Sequence, residues 1–396
     1  MPEEHPQKKK QEMLTILLKT AVGVAVFLAL LFCGVFGYIA WSKSKYRRLK
    51  DTHDLRQRIQ SYGEDYMSKR PHAALAIGVI QKGTTETFFF GQLSQENATK
   101  PDADTVFEIG SISKVYTALA TQALVGEGKL KWDDSVRDVL PEDVTLVPVF
   151  EQIKLSHLAT HRSGLPRLPD NLEVEDIDVD NPYKEYGSDS LYAFLGAYEA
   201  RIPPGKKMEY SNLGFGLLGH VGELVSGRTY GDLLAEKIFG PLGMTNSGVS
   251  VPATKNLAVG HSPEGDEVQY WDFQVLGGAG VVKSTLGDQL RFLAANLNPT
   301  NSPIAEVLEE CQQKHGESWM GDVGYGWQLT STLQGELDFV WHNGGTGGFV
   351  SFAGFDRKHG NAVVMLSSSG DAMKGDFYLD TLAMEILKLA AKISLD

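Results

Sequence analysis

Ser111 and Lys114 have the residue types and the spacing that acyl transfer requires. A serine hydroxyl is a weak nucleophile until a neighbouring group takes or stabilises its proton. Residues three apart lie on one face of a helix, so the Lys114 amine can reach the Ser111 hydroxyl. The apolar pattern that follows predicts a helix beginning at Ser111, where free backbone N–H groups favour developing negative charge. The pair therefore predicts a nucleophilic serine with a lysine activator.

Two more short motifs follow, and each supplies a part that the serine lacks. Tyr210 lies in a Tyr-Ser-Asn sequence, and its phenol can act as a general base if nearby cations lower its usual pKa of about 10. Asn212 can donate to a substrate carbonyl or hold Lys114. A His-Asn-Gly-Gly sequence ends at Gly345 and predicts a strand edge that a substrate can approach closely. The N–H groups of Gly345 and Ser111 would then form an oxyanion hole.

The elements that must position these motifs come from both ends of the chain. Charged, amphipathic spacing predicts a helix over 51–69, and apolar spacing predicts a closing helix over 376–393. Residues from about 115 to 270 are predicted to be mostly helix and loop. Together these patterns indicate an α+β fold, with an antiparallel sheet flanked by helices, a mainly helical insertion, and the site at the seam. The predicted strands are 73–80, 84–90, 325–330, 339–342, 349–355 and 362–367.

The N-terminal region has the pattern of a membrane anchor. Residues 20–41 carry no charge, and Lys19 and Lys43 bracket them. As a helix this run would extend about 33 Å, enough for a hydrocarbon core of about 30 Å. We expect a transmembrane helix at 20–41, after a tail at 1–19 and before a juxtamembrane linker or helix at 42–59. A cleaved signal peptide is the alternative, and basic residues on both sides leave the topology undecided by charge.

Composition excludes several classes of function. The net charge is −13 for the whole chain and +5 for residues 1–51, so residues 52–396 carry −18. Such an acidic body repels nucleic acid. The G-x-G-x-x-G sequence at 214–219 lacks a preceding strand, which favours close helix packing over dinucleotide binding. His157 and His161 lack the glutamate of a zinc motif. We therefore expect no cofactor and no metal.

The motifs together resemble the penicillin-recognising serine hydrolases, which include class C β-lactamases, serine D-Ala-D-Ala carboxypeptidases and related esterases. The resemblance covers about residues 60–390, and it implies a β-lactamase/transpeptidase-like fold with Ser111 as nucleophile, Lys114 as activator and Tyr210 as general base. It also implies substrate-binding or oxyanion roles for Asn212, His342, Asn343, Gly344 and Gly345. The supporting stretches are FEIGSISKVYTAL, LSHLATHRSGLPRLP, PPGKKMEYSNLGFGLLG, FGPLGMTNSGV, LGGAGVVKSTLGDQLRFL and HNGGTGGF.

One position departs from the family pattern. The lactamases usually have Lys-Thr-Gly in the third motif, whereas this chain has His342-Asn343-Gly344. A lysine would give a permanent cation that binds a substrate carboxylate, whereas a histidine gives a cation only when protonated. The difference argues against efficient β-lactam hydrolysis, and it predicts that the pH profile of activity reports the titration of His342.

These observations predict a membrane-anchored serine hydrolase that acts through an acyl-enzyme on a β-lactam, a D-Ala-D-Ala-type peptide or a small ester. Residues 60–390 would form the hydrolase domain, with a helical subdomain at about 115–270. Family analogy places it on the extracytoplasmic side of the membrane. Its partners would be a small-molecule or peptide substrate and the membrane, but no nucleic acid, and the sequence leaves the oligomeric state open. The alternative is a non-catalytic or stably acylated sensor or scaffold on the same fold.

Overall fold

Strands from both ends of the chain build the central sheet. The structure is a computed structural model that describes residues 54–172, 181–251, 256–318, 321–331 and 335–395. Its strands are β1 (Ala74–Gln81), β2 (Thr84–Gly91), β3 (Val106–Glu108), β4 (Gly260–His261), β5 (Glu267–Val268), β6 (Lys283–Thr285), β7 (Gly316–Ser318), β8 (Gly321–Val323), β9 (Gln328–Ser331), β10 (Asp338–Gly345), β11 (Val350–Asp356) and β12 (Asn361–Ser367).

Eight of these strands form one antiparallel sheet in the order β2-β1-β12-β11-β10-β9-β8-β7. The N-terminal hairpin joins the C-terminal strands through β1 and β12, with Leu75 opposite Ser367. Every residue of β1, β11 and β12 is buried. The central strands are thus covered on both faces, and for this reason their sequences are apolar throughout rather than alternating. A separate two-stranded sheet pairs β3 with β6.

The helices cover this sheet and build a second layer beside it. The helices Tyr378–Ala390 and Leu286–Leu297 both pack against β12, and the helix Leu55–Met67 packs against β2. The helices are α1 (Leu55–Met67), α2 (Ser113–Gly126), α3 (Val136–Val139), α4 (Leu155–Ala159), α5 (Ser188–Ala197), α6 (Asn212–Ser226), α7 (Tyr230–Leu234), α8 (Leu286–Leu297), α9 (Ala305–Cys311) and α10 (Tyr378–Ala390).

Helix α6, which follows Tyr210, packs against α2, which contains Lys114. It begins at the Ser211 cap, whose hydroxyl accepts an N–H from the first turn, and it ends at Gly227 in the left-handed conformation (φ 66°). Its glycines allow close approach, since a Cβ at Gly216 would lie 2.5 Å from Leu276 Cδ2. The prediction that the G-x-G-x-x-G sequence serves helix packing is therefore confirmed.

The predicted antiparallel sheet flanked by helices is confirmed for the described residues, but six short strands were not predicted. The predicted terminal helices correspond to α1 and α10, and all six predicted strands are present with shifted ends. Strands β3 to β8 were not predicted, because two or three residues each are too few for a recognisable period. The predicted helix at 20–41 and its flanking segments up to residue 53 lie outside the described residues. Within the described part of the chain, none of the helices combines the length and the apolar character that crossing a bilayer needs.

Candidate functional site

Three distant motifs meet at one cavity of about 830 Å³. Helix α2 follows the first motif, α6 follows the second, and β10 contains the third. Of the eight predicted site residues, Lys114 is buried beneath Ser111, and Asn212 is buried against Tyr183. The predicted residues that line the cavity are Ser111, Tyr210, His342, Asn343, Gly344 and Gly345.

Ser111 lies in a single 3-10 turn, Gly110–Ile112, directly before α2 begins at Ser113. The predicted helix start at Ser111 is therefore wrong by two residues, because the tighter turn precedes the α-helix. Gly110 has a φ of 49°, and a Cβ there would lie 2.7 Å from the backbone N of Gly345. Only glycine fits this conformation and this approach without strain. The first and third motifs are thereby held backbone to backbone.

Lys114 is fully buried with its amine against the serine. Its Nζ lies 3.0 Å from Ser111 Oγ and donates to the carbonyl oxygen of Ala279 at 2.6 Å. Burial holds the pKa of Lys114 well below its usual range, and the nearby Arg167 guanidinium lowers it further. The amine is thus biased towards its neutral form, in which its lone pair can accept the serine proton. This differs from the permanent ammonium usually found for lysine.

Tyr210 adds a phenol to the same network. Burial raises the pKa of Tyr210 to about 12, although a hydrogen bond with Ser111 and the charge of Arg167 oppose this shift. Lys114 Nζ lies 4.9 Å from the centre of the tyrosine ring, and Arg167 Cζ lies 5.2 Å from it. A group with this pKa is protonated at neutral pH, so Tyr210 is poised to donate a proton. The general-base role of Tyr210 stays a prediction, and Lys114, whose pKa burial lowers, is a second candidate for the base.

His161 packs against Tyr210, a contact that its partial zinc-motif pattern did not predict. The two ring centres are 4.4 Å apart, and His161 Nδ1 accepts the backbone N–H of Ser211 at 3.0 Å. His161 also has a positive φ of 57°, which is uncommon for a non-glycine residue and occurs often at functional sites. The signal that could have found it is its place in the family-like stretch LSHLATHRSGLPRLP.

His342 lies on β10 with its ring 2% exposed. Its Nδ1 is 2.6 Å from the carbonyl oxygen of Asn343, so Nδ1–H donates to the backbone. Burial, with a further contribution from Lys114, lowers the pKa of His342 to about 3. The imidazole is neutral throughout the physiological range. The expectation that His342 acts as a conditional cation and shapes the pH profile is therefore wrong, because desolvation outweighs every stabilising contact.

The neutral state of His342 has a measurable consequence for stability. The unfolded chain binds a proton near pH 6.5, whereas the folded chain does not until about pH 3. The contribution of His342 to the free energy of unfolding therefore decreases as the pH falls below 6.5. The loss is about 2 kcal/mol at pH 5. Between pH 7.5 and 5.0, we expect the unfolding free energy of wild type to fall by that much more than the unfolding free energy of His342→Gln. Equal changes in urea titrations would contradict this assignment.

The comparison with the variant matters because two buried acids act in the opposite direction. Burial raises the pKa of both Glu108 and Asp380 to about 7. The folded chain binds these protons at a higher pH than the unfolded chain does, so both acids stabilise it as the pH falls below 7. The difference between wild type and His342→Gln cancels these contributions.

A buried polar cluster fixes the glycine-rich strand end. Thr346 Oγ1 donates to Glu108 Oε2 at 2.7 Å, and the backbone N–H of Trp271 donates to Glu108 Oε1 at 2.7 Å. Lys283 Nζ lies 3.9 Å from the same carboxyl group. Ser351 Oγ also donates to the carbonyl oxygen preceding the 3-10 turn at 2.8 Å. These contacts join the residue next to Gly345 to the strand that leads into Ser111.

Asn212 has a hydrogen-bond partner at only one end of its side-chain amide. Its Nδ2 donates to the hydroxyl oxygen of Tyr183 at 3.1 Å. Its buried Oδ1 has no hydrogen-bond partner among the described residues, and an unsatisfied buried acceptor is costly. A role for Asn212 in binding a substrate amide stays a prediction.

No group of three or more histidine, cysteine, aspartate or glutamate residues in the described ranges is arranged to hold a metal ion.

Comparison with known proteins assigns this arrangement to a family. Residues 56–388 match the family model described as Beta-lactamase. The chain belongs to the β-lactamase family. Among curated relatives, a Pseudomonas fluorescens β-lactamase is 24% identical over 80% of this chain and 94% of its own length. Penicillin-binding protein 4 of Amycolatopsis lactamdurans is 29% identical over 76% of this chain and 82% of its own.

Solved structures agree with this membership at the level of the fold. A class C β-lactamase superimposes with a TM-score of 0.73 and 24% identity, and the match covers 84% of this chain and 96% of that one. The β-lactamase-like fold, with its antiparallel sheet flanked by helices, is therefore confirmed for the described residues.

Proposed function

We propose that this member of the β-lactamase family is a serine hydrolase that cleaves an amide or ester through an acyl-enzyme on Ser111. The observation that carries the proposal is the 3.0 Å contact between Lys114 Nζ and Ser111 Oγ in a cavity that Tyr210 also lines. The names of its relatives, β-lactamases and a penicillin-binding protein, support β-lactam-type carbonyl compounds as the substrate class.

The reaction would begin with transfer of the Ser111 proton to the Lys114 amine. The serine oxygen then attacks the substrate carbonyl carbon, and the carbonyl π electrons move onto oxygen. The N–H groups of Ser111 and Gly345 would receive this oxyanion, a contribution worth about 10²–10³ in rate for each donor. As the bond to the leaving group breaks, Tyr210 donates its proton to that group and regains one from Lys114. Water would release the acyl group by the reverse sequence.

A substrate panel tests this proposal. Nitrocefin, a peptide ending in D-Ala-D-Ala and short-chain 4-nitrophenyl esters represent the three substrate types. We expect turnover of the esters and slower turnover of nitrocefin, because His342 supplies no cation for a β-lactam carboxylate. Ser111→Ala should turn over none of the three above background. A stable adduct without any turnover would instead favour the acylated sensor. If neither turnover nor an adduct were found, the hydrolase and the acylated sensor would both be refuted.

We also propose that residues 20–41 anchor the hydrolase in a membrane, with the catalytic domain on the extracytoplasmic side. The uncharged run of 22 residues and its flanking lysines support this proposal. Fractionation of the full chain, followed by protease accessibility in sealed membranes, tests it. Recovery in the fraction that remains soluble after ultracentrifugation would contradict it.

A further inference from the structure

One wall of the catalytic cavity comes from the chain that connects β12 to α10. Met373, Asp376 and Phe377 line it before the helix, and Asp380 lines it from the first turn. Met373 and Phe377 are 59% and 54% exposed, which is unusual for large apolar side chains beside a reaction centre. This wall therefore combines apolar surface with carboxyl groups.

Asp380 is tied directly to the third motif. Its Oδ2 accepts a hydrogen bond from Asn343 Nδ2 at 2.5 Å. A second aspartate of this wall, Asp376, forms a salt bridge with Arg70 at 3.0 Å. Arg70 also forms a salt bridge with Asp371. One guanidinium thus serves two of the three acids, and Asp380 has an amide partner rather than a cation. The wall has a net negative charge when Asp380 is ionised.

The described lining residues of the cavity include two cations, Arg167 and Lys207. Arg167 stands over the Tyr210 ring, and Lys207 pairs with Glu209 at 2.6 Å. On the β10 side, His342 is neutral and its Nδ1–H is bonded to the backbone. The Asn343 side chain thus contacts the Asp380 carboxyl group, whereas the described contacts of Arg167 and Lys207 are with Tyr210 and Glu209.

We infer that Asp380 is a specificity residue that excludes a carboxylate beside Asn343 and selects esters or amides whose group there is uncharged or cationic. The inference rests on the proposed function. An anion placed against Asp380 would lose its hydration and meet a like charge. A methyl, carboxamide or amine group avoids this repulsion and can contact Phe377 and Met373.

Two series of small activated thioesters test the inference with the full-length protein at pH 8. Burial raises the pKa of Asp380 to about 7, so its carboxyl group is mostly ionised there. One series varies the end of the acyl chain and the other varies the thiol, each between methyl, carboxamide, amine and carboxylate. In at least one series we expect kcat/KM for the carboxylate to be at least about tenfold below that for the carboxamide, or about 1.4 kcal/mol.

Variants locate the cause of this discrimination. Asp380→Asn should remove most of it by raising kcat/KM for the carboxylate. Asp376→Asn, at a more exposed position on the same wall, should reduce the discrimination by a smaller factor. Asp133→Asn makes the same chemical change on a side chain that is 81% exposed and paired with Lys154, and it should leave the ratio unchanged.

The possible outcomes separate the inference from the function on which it rests. Equal or better use of the carboxylates in both series, in a protein that turns over the other esters, would overturn the inference and leave the hydrolase intact. The inference is overturned in the same way if Asp380→Asn keeps the wild-type ratio. Failure of every thioester, together with no labelling of Ser111 by a fluorophosphonate, would overturn the proposed function itself.

Discussion

Replacing Ser111 with alanine is expected to lower kcat/KM by at least about 10⁴-fold. The variant keeps the oxyanion donors and the cavity but has no atom that can form the acyl bond, so only catalysis by binding and polarisation remains. The measurement is steady-state hydrolysis of the best ester from the substrate panel. Thermal unfolding of the same preparation shows whether the fold is intact.

Ser113→Ala is the matched control for that experiment. Ser113 is buried two residues further along the chain, and its hydroxyl accepts the Val282 N–H at 3.0 Å. Its removal leaves one backbone donor unpaired, which costs about 1–3 kcal/mol of stability. The nucleophile is untouched, so we expect kcat/KM within about tenfold of wild type. If Ser113→Ala lost activity and Ser111→Ala kept it, the assignment of the nucleophile would be wrong.

Replacing Lys114 with methionine is expected to lower kcat/KM by about 10³-fold or more, within the range by which loss of a general base and of its electrostatic support affects hydrolases. Methionine fills a similar volume and carries no buried charge. The fold should therefore persist, at the cost of the hydrogen bonds to Ser111 and Ala279. Pre-steady-state acylation of Ser111 is the step to measure, because the amine acts before the acyl bond forms.

Lys114→Arg distinguishes a role of Lys114 as a proton acceptor from a role as a fixed positive charge. A guanidinium keeps the positive charge and the donors, but it cannot accept a proton in this pH range. If Lys114 acts as a neutral base, arginine fails as completely as methionine does. An arginine variant that retained more than about a tenth of wild-type acylation would show instead that a fixed charge is sufficient. In wild type the lowered pKa of Lys114 also predicts that activity falls on the acid side, as the amine becomes protonated.

Local sequence patterns were sufficient to predict the reactive residues and most strands of the sheet. The Ser111–Lys114 spacing, the glycines of the third motif and the apolar strands each report interactions within a few residues, and all of them are present. The resemblance to a known family then connected motifs that lie far apart in the chain. The helical insertion also followed from local pattern, with α2 to α7 forming most of it.

The protonation states could not be predicted in this way, because they depend on tertiary burial. Burial in the fold lowers the pKa of both His342 and Lys114. Asp380 lies 37 residues beyond Asn343, and only the packing of α10 brings its carboxyl group to the third motif. His161 was visible as a residue type, but its place under Tyr210 depends on contacts between separate loops.

The most direct test of the account is to trap the acyl-enzyme and locate it in the chain. Wild-type protein is mixed with a slowly hydrolysed ester or a fluorophosphonate, quenched, digested, and analysed by peptide mass spectrometry. We predict one adduct, on the Ser111 hydroxyl, whose rate of formation falls by about 10³-fold in Lys114→Met. An adduct on Ser113, Ser211 or any other residue, or one that forms equally fast without the Lys114 amine, would contradict the convergence of these groups on a single reaction.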